Sequence, residues 1–142
     1  MKKSTGELLK DLEKCEDFGT YYEGNKDVFF KRKLTECLDE LLKQKNMKKI
    51  DVIKGAEMSQ IYGYQIFAGM RRPGKYKMIC IALAMGLTYD ETQALLKECG
   101  FIPLYAKNAD DSAYIYALKN KLTVAELNGM LVEYGLKESI EN

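Results

Sequence analysis

Helical periodicity runs through nearly all of this 142-residue chain and restricts its fold more than any other feature. Only two prolines occur, and the β-branched alternation that marks strands is scarce. Phe30, Leu34, Cys37, Leu38 and Leu41 recur at helical spacing, which predicts a helix from about Val28 to Lys45 with one apolar stripe. A short helix follows, from about Lys48 to Ala56, burying Val52, Ile53 and Ala56. Ser59 suits an N-cap for a helix from Gln60 to Ala68, and Gly69 stops it. Pro73 and Gly74 open a helix from Lys75 to Met85, ended by Gly86. The next starts at Thr88, with Asp90 and Glu91 near its positive dipole end, and runs to Gly100. Two more are expected over Asp110 to Asn120 and Thr123 to Tyr134. At the other end, Ser4-Thr5-Gly6-Glu7 resembles a capping box for a short helix with Leu8, Leu9, Leu12 and Cys15 on one side. Glu16 to Asp27 contains Gly19, Gly24 and Asn25 and reads as a loop. The expected class is all-α.

Composition narrows the chemistry. Hydrophobic residues at 46% and charged residues at 30% describe a globular protein, and no apolar run approaches the ~20 residues of a membrane helix. Met1-Lys2-Lys3-Ser4 leads into Glu7, Asp11 and Glu13, which is not the pattern of a signal peptide. Histidine is absent, which removes the usual general base near neutral pH and the commonest zinc ligand. The four cysteines, at 15, 37, 80 and 99, form no C-x-x-C pair. They read as reduced thiols of a cytoplasmic protein, with Cys37, Cys80 and Cys99 as small core residues. No cysteine or serine has a histidine to activate it, and no Gly-rich phosphate loop follows a strand. The acidic pairs Asp90-Glu91 and Asp110-Asp111 fall at helix starts, where capping accounts for them. The chain is therefore expected not to be an enzyme and to need no metal or cofactor.

Charge is unevenly spread. The net charge is +1, yet residues 43 to 77 carry nine basic and two acidic groups, a local excess of +7 in an otherwise acidic chain. That segment is where a polyanion would be attracted. There is also an internal echo at an offset of 35: Ala82-Leu83 and Ala117-Leu118, Leu87-Thr88 and Leu122-Thr123, Glu91 and Glu126, Leu96 and Leu131, Gly100 and Gly135. This spacing fits a helix–turn–helix pair occurring twice, the second stacked on the first to extend one core.

The segment from Asn46 to Leu87 is the informative one. Met47-Lys48, Val52-Ile53, Met58-Ser59, Ile66, Gly69 with Arg71-Arg72-Pro73, Ile81-Ala82 and Met85-Gly86-Leu87 stand in register over about 40 positions. In that register the chain resembles the Cro/cI repressor-like family of helix-turn-helix transcriptional regulators, the xenobiotic-response-element type found in bacteria and phages. The resemblance implies a lambda-repressor-like helix-turn-helix bundle, here with an added C-terminal helical pair and a short N-terminal helix. It divides the chain into an N-terminal helix and loop (1–27), a DNA-binding domain (28–100) and a C-terminal helical extension packed on it (101–142). The implied activity is sequence-specific binding of double-stranded DNA in transcription regulation, with helix 60–68 in the major groove.

By the same resemblance the base-reading positions fall on Gln60, Ile61, Tyr62, Tyr64 and Gln65. The chemistry agrees: glutamine can bond adenine through N6 and N7, and isoleucine can meet the thymine methyl. The phosphate-contacting candidates are Lys48, Lys49, Arg71, Arg72, Lys75 and Lys77. Tyr62 or Tyr76 could add a hydroxyl, with helix packing as the other use of either ring.

Three residues depart from the family pattern. Glu57 stands where the turn usually holds glycine, which implies strain or an altered turn. Gly63 replaces a buried aliphatic, implying lost packing, and Phe67 replaces an acidic residue. These departures point to the alternative function, a protein–protein adaptor that keeps the fold without DNA binding. The helix at 75–85 is apolar nearly all round and must be covered on both sides, by the C-terminal helices or by a second subunit. Homodimerisation and a protein partner on the C-terminal helices are both left open.

Overall fold

The computed structural model describes residues 3–25, 33–136 and 140. Nine α-helices and no strand occur among them. The chain divides into two compact units, Met1–Lys31 and Arg32–Asn142. Val28 and Phe30, assigned above to the start of a helix, lie outside the described residues.

The first unit holds α1 (Thr5–Lys14) and α2 (Phe18–Gly24). The Ser4 hydroxyl accepts from the Glu7 amide at 3.2 Å and starts α1, which buries none of its residues. The second helix falls where a loop was expected. Asp17 caps it, accepting from the Thr20 amide at 2.8 Å and the Thr20 hydroxyl at 2.7 Å, and these bonds hold its carboxyl below the usual range. Phe18, Tyr21 and Tyr22 then stand at helical spacing with their rings about 6 Å apart. Gly19 and Gly24 are confined to the two ends of α2, where glycine interrupts little.

The second unit runs α3 (Leu34–Lys45), α4 (Lys49–Gly55), α5 (Gln60–Phe67), α6 (Lys75–Met85), α7 (Tyr89–Glu98), α8 (Ala109–Lys119) and α9 (Val124–Glu133). One core joins them, from Cys37 and Leu38 to Leu127 and Leu131. Its centre is α6. Met78, Ile79, Cys80, Ile81 and Ala82 are all essentially inaccessible, because α4 packs on one side of this helix and α8 and α9 on another. An all-round apolar helix is thus covered within the chain. Cys37, Cys80 and Cys99 are free and buried, as the apolar stripes predicted, and burial raises the thiol pKa values of Cys80 and, to about 12, of Cys99.

One turn geometry recurs. Asn46, Glu57, Gly86 and Lys121 all adopt left-handed φ, at 53°, 55°, 69° and 52°. The residue after each donates its amide back over five positions: Met47 to Leu42, Met58 to Ile53, Leu87 to Ala82, Leu122 to Ala117. The 35-residue echo is therefore a repeat of shape. Thr88 with Glu91, and Thr123 with Glu126, each form a complete capping box in the same place. Glu91 is further engaged by Lys45 at 3.0 Å, and the Thr88 amide, with Lys45 second, holds its carboxyl below the usual range.

Gly63 does not leave a hole. It is buried, and a Cβ placed on it would meet the γ-carbons of Ile53 at 2.6 Å. The missing side chain is what lets α5 settle on α4, with Ile53 filling the space. Helix propensity alone predicts that Gly63→Ala stabilises α5 by about 1 kcal/mol. We expect the reverse, a net loss of about 1–2 kcal/mol, because the contact is with the branch of a fully buried side chain. Chemical denaturation of the variant measures the sign, and the same Gly63→Ala change made in an Ile53→Ala background, which lacks both γ-carbons, should cost less.

Candidate functional site

Helix α5 has two faces of different character. Gly63, Ile66 and Phe67 are buried against α3 and α4. Gln60, Ile61 and Tyr64 are exposed, Ile61 at 75%, while Tyr62 and Gln65 are half-buried. Ser59 starts the helix by accepting from the Tyr62 amide at 3.2 Å, so the exposed residues stand in its first turn and a half. Phe67 is in the core, so its presence in place of an acid says nothing about a surface partner.

The six basic candidates divide into three pairs. Arg71 and Lys77 belong with α5. The Arg71 Nε donates to the Gln65 Oε1 at 3.1 Å, and the guanidinium lies 5.3 Å from the centre of the Tyr62 ring. Lys77 lies 5.8 Å from the same ring and 5.4 Å from that of Tyr76. Tyr62, Gln65, Arg71 and Lys77 thus form one patch. Met70, exposed beyond the end of α5, was not singled out from the sequence.

Arg72 and Lys75 are engaged within the chain. The Arg72 guanidinium donates to the Cys99 carbonyl at 2.8 Å and stacks 4.2 Å from the Phe101 ring. It satisfies a carbonyl left open at the end of α7. Lys75 lies 3.4 Å from the buried carboxylate of Asp111, which also accepts from the Tyr105 amide at 3.0 Å. Gln93 grips the backbone of Leu104 through both its amide atoms, at 2.7 and 3.0 Å. Together these bonds pin the segment between α7 and α8. Lys49 is held more loosely, 4.0 Å from Asp39 and 5.9 Å from the Phe67 ring. Lys48 is exposed at the N-cap of α4 and makes no capping bond with its side chain. Tyr76 is buried and its hydroxyl donates to the Asn128 Oδ1, with burial raising its pKa. Of the two uses weighed for this ring, helix packing is the one it has.

Among the described residues, no group of three or more Cys, Asp or Glu gathers as a metal site, and no helix is long and apolar enough to cross a membrane. Comparison of the chain with protein-family models, with curated proteins and with solved structures found no match.

The division of the arginines has a direct consequence. Arg72→Ala should lower stability by about 1–2 kcal/mol through loss of a charged hydrogen bond to a helix end. Arg71→Ala, which removes only contacts on the open face, should change it by less than about 0.5 kcal/mol. Thermal melts of the two variants side by side check the order.

Proposed function

We propose that this chain is a sequence-specific double-stranded DNA-binding regulator of the Cro/cI repressor-like kind. In this reading α3 to α7 are a lambda-repressor-like bundle, α4 and α5 are its helix-turn-helix, and α5 lies in the major groove. The observation that carries it is the open face of α5, with Gln60, Ile61 and Tyr64 at the front and Arg71 and Lys77 gathered beside it. An α-helix fits that groove, and its first residues reach base edges. Arg71, Lys77 and the exposed Lys48 supply charge for the sugar-phosphate backbone. Arg72 and Lys75 then act from within, bracing the turn that carries Arg71.

The hydrogen bond to Arg71 bears on what Gln65 reads. One of the two lone pairs of its carbonyl oxygen is used by Arg71, so the two side chains together are rich in N–H donors. A donor-rich pair suits the N7 and O6 acceptors of guanine, whereas adenine needs a donor and an acceptor together. Adenine recognition falls to Gln60, at the exposed start of the helix.

The adaptor reading keeps one observation in its favour: Ile61 and Met70 are each about three-quarters exposed, as a protein-contacting surface would have them. Selection of bound sequences from a random duplex pool decides between the two. The DNA reading predicts an enriched motif, and Gln60→Ala should cost about 1–3 kcal/mol on it with little change on random duplex. No enrichment at low salt, or an equal loss on both duplexes, would refute the base-reading role.

A further inference from the structure

Cys37 of α3 and Cys99, the C-cap of α7, bring their thiols together, and the Cys99 thiol donates to the Cys37 sulfur. Burial first, and this bond second, push the Cys99 thiol up to about 12, so it holds its proton. Cys37 also lines an open groove of about 200 Å³ between the two helices, with Leu41, Ala94 and Leu95. A molecule little larger than water can enter such a space. The other two thiols are placed differently. Cys80 is 1% exposed and meets Tyr76, and Cys15, in the first unit, donates to the Leu12 carbonyl at 3.0 Å.

The two cysteines border supports of one turn. Thr35, on α3 beside Cys37, stands so close to Gly69 that a Cβ there would lie 3.1 Å from its methyl carbon. The Cys99 carbonyl accepts from Arg72 at 2.8 Å. The turn from Gly69 to Arg72 is thus held by α3 and by the end of α7.

We propose that Cys37 and Cys99 are an oxidisable dithiol, closed to a disulfide by hydrogen peroxide, which fastens together the two supports of the turn from Gly69 to Arg72. The Cys37 sulfur, its proton given to solvent, attacks one peroxide oxygen. An S–O bond forms, the O–O bond breaks, and the departing hydroxide regains that proton as water, leaving a sulfenic acid. The Cys99 sulfur then attacks the Cys37 sulfur. The S–S bond forms, the S–O bond breaks, and the hydroxyl leaves with the Cys99 proton as a second water. The two thiols lose two electrons and the peroxide gains them. Sulfurs that already share a hydrogen bond have only to close to the ~2.05 Å of an S–S bond. Closure quickens in alkali, since the Cys99 proton must be given up. The disulfide closes a loop of about 60 residues, which restricts opening of the bundle between its ends. The inference does not depend on the DNA-binding proposal.

Hydrogen peroxide added to the folded full chain, followed by alkylation of the remaining thiols, tryptic digestion and mass spectrometry, tests it. The expected product joins peptide 34–43 to peptide 98–107 within one chain, leaves Cys80 to be alkylated only after unfolding, and is reversed by dithiothreitol. Hydrogen exchange of the amides from Gly69 to Arg72 should then slow by about threefold or more. Cys99→Ala should abolish both changes, and the peptide map of the native chain decides the matter should that variant fail to fold. No cross-link between the two peptides, with Cys37 either untouched or carried on to sulfinic acid, would overturn the proposal. So would a cross-link that leaves exchange at the turn unchanged.

Discussion

A helix that is apolar on every side has no stable place at a surface, and α6 imposes that constraint on everything around it. Its buried run from Met78 to Ala82 requires cover from two directions. The chain supplies it with α4 on one side and α8 and α9 on another. Each fully buried aliphatic of this kind contributes about 1.5–3 kcal/mol relative to exposure, so α6 is where most of the local stabilisation concentrates. The C-terminal helices are accordingly part of the core. They cannot be an independent appendage, since without them α6 would present several isoleucine and methionine side chains to water.

This arrangement explains how α5 comes to be presented. A short helix of low intrinsic stability is held by three buried residues on one side, Gly63, Ile66 and Phe67, and by the caps at Ser59 and Gly69. The opposite side is then free of packing duties. The turn after it is fixed from behind by Arg72 and Lys75, which reach to the end of α7 and the start of α8. Arg71, between α5 and that anchored turn, can rest on Tyr62 and Gln65. Two adjacent arginines thus have different work, one structural and one directed outward.

Much of this was legible in the residues. Positions of helices from α4 to α9 follow from apolar spacing, from Ser59 as an N-cap, from the starts at Thr88 and Thr123, and from Gly69 and Gly86 as stops, whereas α3 begins at Leu34, after an extended Lys33, and not near Val28. The 35-residue echo carried through to capping boxes and turn angles, because caps and left-handed residues are local features with local signatures. What was not legible depended on contacts distant in sequence. Gly63 reads as a loss of packing until Ile53 is seen beside it. Arg72 and Lys75 look like their neighbour Arg71 until Cys99 and Asp111, 27 and 36 residues away, are brought to them. Helix α2 was hidden by glycines that turned out to sit at its ends, with Asp17 as the unrecognised cap. The bond from Arg71 to Gln65 spans the turn at Gly69 and has no spacing rule that would announce it.

The proposal that α5 reads DNA is met most directly by residue-resolved NMR of the backbone amides, with and without duplex DNA at low salt. The account predicts shift changes concentrated at Gln60, Ile61, Tyr64, Gln65, Arg71 and Lys77, with α8 and α9 unmoved. Changes centred on the C-terminal helices, or none anywhere at saturating duplex, would contradict it.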